Sequence, residues 1–161
     1  LMEDLFSPEV KKANWDYSEP KTLHDSSLSL STHVILASDR KDKALAYQLF
    51  SRAVRIDAGE NMKSSNDGIH AASIAGIWQS VVYGFGGVRM LHGKLRVCPA
   101  LPDSWHKLDF AIFWQGQRLH MVIDRNTLTI TNETGTRAVE VEVYGQNYQI
   151  RDSIHVQYAE L

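Results

Sequence analysis

The chain has 161 residues, enough for one domain or two small ones, and its single cysteine, Cys98, excludes an internal disulfide. Hydrophobic residues make up 43% and charged residues 22%, which is typical of a globular protein and excludes the disordered class. The formal net charge of −2, without a cluster of lysine and arginine, argues against nucleic acid as a partner.

The first half of the chain has the apolar spacing of helices. Capping-type residues at 25–27 predict a helix that begins near Ser26. In "KDKALAYQLFSRAVRID" the apolar residues recur every three or four positions, which predicts an amphipathic helix with Asp42 as its N-cap and Gly59 as its end. A third helix is predicted from about Ile69 to Tyr83, and its apolar residues on nearly all sides predict burial on most sides.

The pattern changes after "GFGG". From Val88 onward, short runs of β-branched and aromatic residues such as "KLDFAIFWQ" and "AVEVEVYG" are separated by turn residues. About eight strands in some 75 residues predict a small antiparallel β-sandwich. Pro99 and Pro102 predict a turn early in this half.

The helical half presents a packing problem. Three or four helices cannot cover one helix that is apolar all round, so we expect them to belong to a larger helical assembly of which this chain is the C-terminal piece. No apolar run reaches the roughly 18 to 20 residues of a membrane span. We therefore expect no membrane contact. The single cysteine gives no sign of an oxidising compartment, so a cytoplasmic location is expected. "LMEDLFSPEV" lacks the features of a signal peptide, which carries little weight for a C-terminal piece.

Two predicted helix starts carry small polar residues and a histidine. A helix N-terminus presents unpaired N–H groups and the positive end of its dipole, which together favour an anion. Gly68 permits a close backbone approach there, and His70 can donate hydrogen bonds to an oxyanion. The "HDSS" start adds His24, Ser26 and Ser27. Two such starts facing one anion predict a phosphate site.

A simpler interpretation of these residues is capping. Ser, Asn and Asp in front of a helix more often serve as N-caps, and the spacing here matches no phosphate-loop or dinucleotide motif. Asp25 and Asp67 precede helix starts and Glu19 stands next to Pro20, so we expect caps and a loop contact from these carboxylates rather than proton transfer.

Two longer motifs favour the phosphate interpretation. "DYSEPKTLHDSSLS" and "NDGIHAASIAGIWQSVVYGFGGVRM" resemble the C-terminal part of glycoside phosphorylases of the maltose phosphorylase type, in glycoside hydrolase family 65. Kojibiose, nigerose and trehalose phosphorylases and the acid trehalases are their relatives. The later "LRVCPALPDSWHKLDFAIFWQGQRLHMVI" resembles the β-sandwich that ends those enzymes.

The resemblance implies an architecture and a set of site residues. Residues 1–86 would be the last helices of an (α/α)6 barrel, and residues 87–161 a C-terminal β-sandwich. His70 would bind phosphate together with Gly68 and the serines of "HDSS". The remaining polar residues of the two helix starts would line the same site, namely His24, Asp25 and Asp67.

The resemblance also implies a reaction. Family members cleave an α-linked glucose disaccharide by inverting phosphorolysis, which gives β-glucose 1-phosphate and a free sugar. Phosphate is the co-substrate, no cofactor is needed, and one glutamic acid protonates the leaving oxygen. No motif in this chain matches that glutamate, so we expect it N-terminal to Leu1. The chain alone should therefore be inactive, and the longer parent is expected to be a dimer.

The remaining histidines and tryptophans suggest no further site. His33, His92, His106, His120 and His155 lack metal-ligand spacing with one another or with Cys98, so no metal is expected. Trp78 is predicted to lie in the core, and Trp105 and Trp114 between the two sheets.

Two alternative functions remain open. A trehalase-like relative would use water in place of phosphate, and phosphate-dependent product formation separates the two. A non-catalytic β-sandwich would bind carbohydrate or a partner subunit, and it should display exposed aromatic rings on one face.

Overall fold

The helices precede the strands along the chain, as the sequence patterning predicts. A computed structural model describes residues 5–24, 26, 28–58 and 68–158. The helical elements are α1 (Pro8–Ser18), a 3-10 turn (Glu19–Lys21), α2 (Ser29–Asp39), α3 (Lys43–Ala58), α4 (Ala71–Gln79) and a π-helical segment (Ser80–Phe85). Among these described helices, none is both long and apolar enough to cross a membrane.

Side-chain caps fix the starts of two helices. The N–H of Leu45 donates to Asp42 Oδ1 at 3.0 Å, so the predicted cap of α3 is confirmed; Gly59, its predicted end, lies outside the described residues. Helix α1 was not among the helices placed from the sequence. It begins after Ser7, whose Oγ accepts from the N–H of Val10 at 3.4 Å, with Pro8 in its first turn.

One predicted helix start was wrong, and another predicted helix is not α-helical throughout. Helix α2 begins at Ser29, not near Ser26, because Ser26 accepts hydrogen bonds from the N–H groups of Leu28 (to Oγ) and Ser29 (to O), both at 3.3 Å, in a turn ahead of the helix. The third predicted helix divides into α4 and the π-helical segment. There the N–H of Gly86 donates at 2.8 Å to the carbonyl of Val81, five residues back.

Small residues line the contact between α2 and the α4 region. A Cβ at Gly76 would lie 2.4 Å from Ser31 Oγ, and one at Gly84 would lie 3.2 Å from Ser38 Oγ. Because the contact positions rise together along both elements, the two run parallel and both begin at the same end of the helical layer. We call this contact the small-residue seam; its members are Ser31, Ser38, Gly76, Ser80 and Gly84.

The prediction that the third helix is buried on most sides was wrong for this chain. Helix α4 buries its small residues, Ser73 and Gly76, against its neighbours. Its large apolar residues face the other way: Ile74 is 44% exposed and Trp78 52%, so Trp78 does not lie in the core as predicted. No element of the described chain covers that face.

Eight strands form two four-stranded sheets. They are β1 (Val88–Leu91), β2 (Lys94–Val97), β3 (Lys107–Trp114), β4 (Gln117–Asp124), β5 (Thr127–Asn132), β6 (Val139–Val143), β7 (Gln146–Ile150) and β8 (Ser153–Gln157). One sheet has the order β1-β2-β6-β7 and the other β3-β4-β5-β8. Alternating residues of both sheets are buried in one core, for example Leu119 and Met121 of β4 and Val139 and Val141 of β6.

The predicted sandwich was wrong in one respect, since it is not antiparallel throughout. Strands β2 and β6 pair in parallel, with Leu95 opposite Val141 and Val97 opposite Val143. The other strand pairs are antiparallel. A parallel pair needs a long crossover, and here β3, β4 and β5 of the opposite sheet lie between the two strands in sequence.

Aromatic rings and a buried arginine join the helices to the sandwich. Trp105 packs edge-on against Phe50 of α3 and Phe85, with centroids 5.6 and 5.0 Å apart, so it does not lie between the sheets as predicted. Trp114, at the end of β3, is half-buried against the core. The Arg89 side chain is buried and donates to the carbonyls of Tyr83 and Val88 and to the Asp39 carboxylate.

We predict that Gly87→Ala destabilises the fold more than Gly93→Ala. Both glycines have positive φ, +64° and +74°, so alanine costs about 1–2 kcal/mol of backbone strain at either position. A Cβ at Gly87 would also lie 1.9 Å from the Cys98 carbonyl oxygen, whereas one at Gly93 meets nothing within 4 Å. Urea unfolding should therefore show about 1–3 kcal/mol of additional loss for Gly87→Ala. Equal losses would mean that the Gly87–Cys98 approach is not a packing constraint.

Candidate functional site

The seam places the two histidine-bearing helix starts at one end of the helical layer. Helix α2 and helix α4 run parallel, so the turn in front of α2 and the residues in front of α4 lie on the same side of the molecule. Of the predicted site residues, His24, Ser26, Gly68 and His70 are described. The others, Asp25, Ser27 and Asp67, lie outside the described residues.

Gly68 and His70 lie directly ahead of α4, and the backbone at Gly68 has free space beside it. Gly68 has φ +113°, a conformation that side chains resist, and a Cβ there would meet nothing within 4 Å. His70 is the N-cap residue of α4, and its carbonyl accepts from the N–H groups of Ser73 and Ile74 at 2.8 and 3.1 Å. Its side chain makes no capping bond, so the ring is available for another contact.

That contact is with Asp57, in the last turn of α3. His70 Nδ1 lies 2.7 Å from Asp57 Oδ1, and the backbone N–H of His70 donates to both carboxylate oxygens, at 3.3 and 3.2 Å. The Asp57 side chain is 12% exposed and that of His70 is 41% exposed. Within the described part of the chain, Nδ1 is the ring nitrogen of His70 that has a hydrogen-bond partner, and Nε2 has none. Sequence reasoning missed Asp57, because nothing in "RID" distinguishes it from a surface acid.

The turn ahead of α2 is held by its own side chains. Ser26 is exposed, and its Oγ accepts from the N–H of Leu28. His24 has φ +54°, an uncommon value for a residue other than glycine, and its side chain is only 6% exposed. His24 Nδ1 lies 3.3 Å from Ser29 Oγ, which itself donates to the Ser26 carbonyl at 3.1 Å. His24 therefore supports the turn that presents Ser26.

A second histidine and a glutamate meet His24 on its buried side. His24 Nε2 lies 3.9 Å from Glu19 Oε1, and the His24 and His33 rings pack edge-on with centroids 4.5 Å apart. One donor atom from each of the three residues lies within 4.8 Å of the others. Linear spacing did not reveal this cluster, since 14 positions separate Glu19 from His33 in the sequence.

The Glu19–His24–His33 cluster has the donor chemistry of a divalent metal site. Two imidazoles and a carboxylate are a ligand set that zinc accepts, and His24 Nε2 and His33 Nδ1 are buried without a hydrogen-bond partner. The His24 Nε2–Glu19 Oε1 distance of 3.9 Å is too long for a hydrogen bond, and an ion pair between the two side chains accounts for their proximity equally well. The expectation that no metal binds rested on linear spacing among the histidines and Cys98, which does not register a cluster formed with Glu19 and His24; it stays a prediction.

Burial sets the charge state of His33. Loss of solvent lowers the pKa of His33 below its ordinary value, the charge of His24 lowers it further, and the Glu19 carboxylate opposes both.

Burial raises the pKa of the Cys98 thiol, because it disfavours the charged and reactive thiolate.

We predict that His33 makes the fold acid-sensitive. Because its pKa is lower in the folded state, the unfolded chain binds more protons as pH falls through about 6.5, and stability is lost there. Urea midpoints measured at pH 7.5 and 5.5 should show a smaller loss for His33→Gln than for wild type. His155→Gln, in strand β8, is the control and should keep the wild-type loss. Equal losses in all three proteins would contradict the prediction.

Comparison with protein families decides to which family the chain belongs. The model "Glycosyl hydrolase family 65 central catalytic domain" matches residues 1–79, and the model "Glycosyl hydrolase family 65, C-terminal domain" matches residues 88–150. The chain belongs to glycosyl hydrolase family 65. This confirms the resemblance in the two sequence motifs.

Similar curated proteins in this family are disaccharide phosphorylases. The chain is 43% identical to a kojibiose phosphorylase of Halothermothrix orenii over 157 residues, which are 95% of this chain and 20% of the relative. It is 35% identical to the α,α-trehalose phosphorylase of Thermoanaerobacter brockii, over 89% of this chain and 18% of the relative. The maltose phosphorylase of Bacillus subtilis is also 35% identical, over 77% of this chain and 16% of the relative.

A solved structure supports the same relationship. The structure described as "Putative kojibiose phosphorylase from human microbiome" superposes with a TM-score of 0.90 at 34% identity, over 97% of this chain and 23% of that one. The chain thus aligns with one part of these family 65 proteins and spans about a fifth of the length of its curated relatives.

Proposed function

We propose that this chain forms the C-terminal part of an inverting disaccharide phosphorylase and supplies one side of its phosphate site. The observation that carries the proposal is the position of His70. This residue lies at the start of α4, on the same side of the molecule as the Ser26 turn ahead of α2, and Asp57 holds its ring. The phosphorylase relatives support the reaction class.

The proposed site binds phosphate with groups from both helix starts. His70, Ser26 and Ser27 donate hydrogen bonds to its oxygens, and Gly68 lets the anion approach the backbone. The dipoles of α2 and α4 both present their positive ends to it. In this proposal His24, Asp25 and Asp67 would line the same site.

Phosphate in that position acts as the nucleophile. One of its oxygens forms a bond to the anomeric carbon of the glucose unit, and the bond from that carbon to the glycosidic oxygen breaks on the opposite face. A glutamic acid gives its proton to the leaving oxygen, so the products are β-glucose 1-phosphate and a free sugar. In this proposal that acid belongs to a part of the protein N-terminal to Leu1, and the chain alone is inactive.

The proposal extends to architecture and partners. Residues 1–86 would complete an (α/α)6 barrel and residues 87–161 would be its closing sandwich, in a cytoplasmic enzyme that works as a dimer. It needs no cofactor besides the phosphate co-substrate. The non-catalytic carbohydrate-binding alternative lacks support, since Trp105 and Trp114 are half-buried against the core instead of forming an exposed platform.

The reaction can be tested on the full-length protein that carries this chain. Kojibiose, trehalose and maltose are incubated with and without phosphate, and glucose 1-phosphate and free glucose are assayed. We expect glucose 1-phosphate only with phosphate present. His70→Ala should lower kcat/KM for phosphate by about 10²- to 10³-fold, the usual loss for one oxyanion donor.

The matched control is His106→Ala, because His106 is an exposed histidine in the sandwich and should leave the rate unchanged. Release of free glucose at full rate without phosphate, in wild type and in His70→Ala, would instead establish a hydrolase of the trehalase kind.

The barrel proposal predicts that the 161-residue chain, when produced alone, self-associates through an exposed apolar surface. The exposed apolar residues of the α4 region, Ile69, Ile74 and Trp78, would be covered by other barrel helices in the full-length protein. Replacing Ile74 and Trp78 with glutamine should reduce self-association in sedimentation experiments and dye binding to apolar surface. Phe113→Gln, at a sandwich position that is 72% exposed, is the control and should change neither. A wild-type chain that stays monomeric and binds no dye would contradict the prediction.

A further inference from the structure

Asp57 holds His70 at two atoms, through three contacts. Its carboxylate contacts ring Nδ1 at 2.7 Å and accepts from the backbone N–H of the same residue through both oxygens. The contact joins the last turn of α3 to the residue before α4, across 13 positions of sequence. It fixes both the backbone of His70 and the rotation of its ring.

The position of Asp57 is electrostatically unfavourable for helix α3. The C-terminal turn of a helix carries the negative end of the dipole, where an anion is destabilising. Asp57 is also largely buried, with a side chain that is 12% exposed, so its charge loses solvation. A carboxylate in such a place needs compensating hydrogen bonds, and those from His70 are among them.

The contact also decides which ring nitrogen faces the site. A carboxylate is an acceptor only, so Nδ1 must carry the proton in this pair. The remaining nitrogen, Nε2, is then the atom directed away from Asp57. A phosphate oxygen that binds the His70 ring therefore binds it at Nε2.

We propose that Asp57 is a positioning residue that acts through His70. It keeps Nδ1 protonated and holds the ring so that Nε2 points at the bound phosphate. This inference rests on the proposed phosphate site and adds a residue to it. Asp57 itself does not touch phosphate, since both its oxygens are engaged by His70 and a second anion would repel the first.

The test uses the full-length protein with Asp57→Ala and Asp57→Asn. We expect Asp57→Ala to raise KM for phosphate by on the order of 10- to 100-fold, by analogy with the loss seen when the hydrogen-bond partner of a metal-binding histidine is removed. KM for the disaccharide should change little. Asparagine still accepts a hydrogen bond, so Asp57→Asn should lie between wild type and Asp57→Ala. Asp42→Asn is the matched control, because it makes the same change at the opposite end of α3 and preserves the cap.

A double-mutant comparison separates positioning from a merely structural role. If Asp57 acts through His70, Asp57→Ala should cause no further loss in a His70→Ala background. A full additional loss there, or an equal rise in KM for both substrates, would overturn the proposal and indicate that Asp57 only supports the fold.

Nitrogen-15 spectra of selectively labelled histidine give a readout that does not depend on activity. In wild type the His70 Nδ1 resonance should have the shift of a protonated nitrogen, and in Asp57→Ala it should move toward the tautomer average. An unchanged resonance would overturn the proposal. If wild type hydrolyses disaccharides without phosphate, the proposed function fails by itself, and these spectra still decide whether Asp57 fixes the ring.

Discussion

The close approach of α2 to the α4 region is the constraint on which the candidate site depends. Gly76 and Gly84 leave no room for a side chain beside Ser31 and Ser38, and this tight contact sets how far the parallel elements can slide past one another. Their relative position in turn sets the level at which each helix begins. A larger residue in the small-residue seam would displace the Ser26 turn relative to His70, although Ser26 and His70 are not themselves members of the seam.

The helical layer is not independent of the sandwich. Arg89, in the first strand, reaches back to the carbonyl of Tyr83 and the carboxylate of Asp39 at the end of α2. A buried guanidinium is tolerated only when its donors are matched, and here backbone oxygens and one anion match them. Phe85 and Trp105 cover this junction with aromatic contacts. The sandwich thereby holds the C-terminal ends of the helices whose opposite ends form the site.

Sequence patterns predicted local structure better than contacts between distant segments. The Asp42 cap and the eight strands follow from residue periodicity and turn chemistry, both of which act over a few positions. Helix α1 could have been placed from Ser7 and Pro8, a cap followed by a first-turn proline. The parallel pairing of β2 with β6 had no local signature, because it joins strands more than forty positions apart.

The same limit applies to the site. Gly68 and His70 stood out because each residue type has an intrinsic property that suits a helix start. Asp57 and the Glu19–His24–His33 cluster did not, because their chemistry arises only when separate elements pack together. Trp78 was misassigned for a related reason: an apolar residue predicts that something covers it, but not which part of a protein does so.

The π-helical segment at Ser80–Phe85 also determines how the chain tolerates changes in length. Its hydrogen bonds span five residues, so it holds one residue more than an α-helical turn would. Deleting one residue there would restore ordinary helical pairing but rotate everything after it by about 100° relative to α4. Phe85 would turn away from Trp105, and the Arg89 side chain would no longer point toward the Asp39 carboxylate. The extra residue of the π-helical segment therefore sets the rotation of the first strand of the sandwich relative to helix α4.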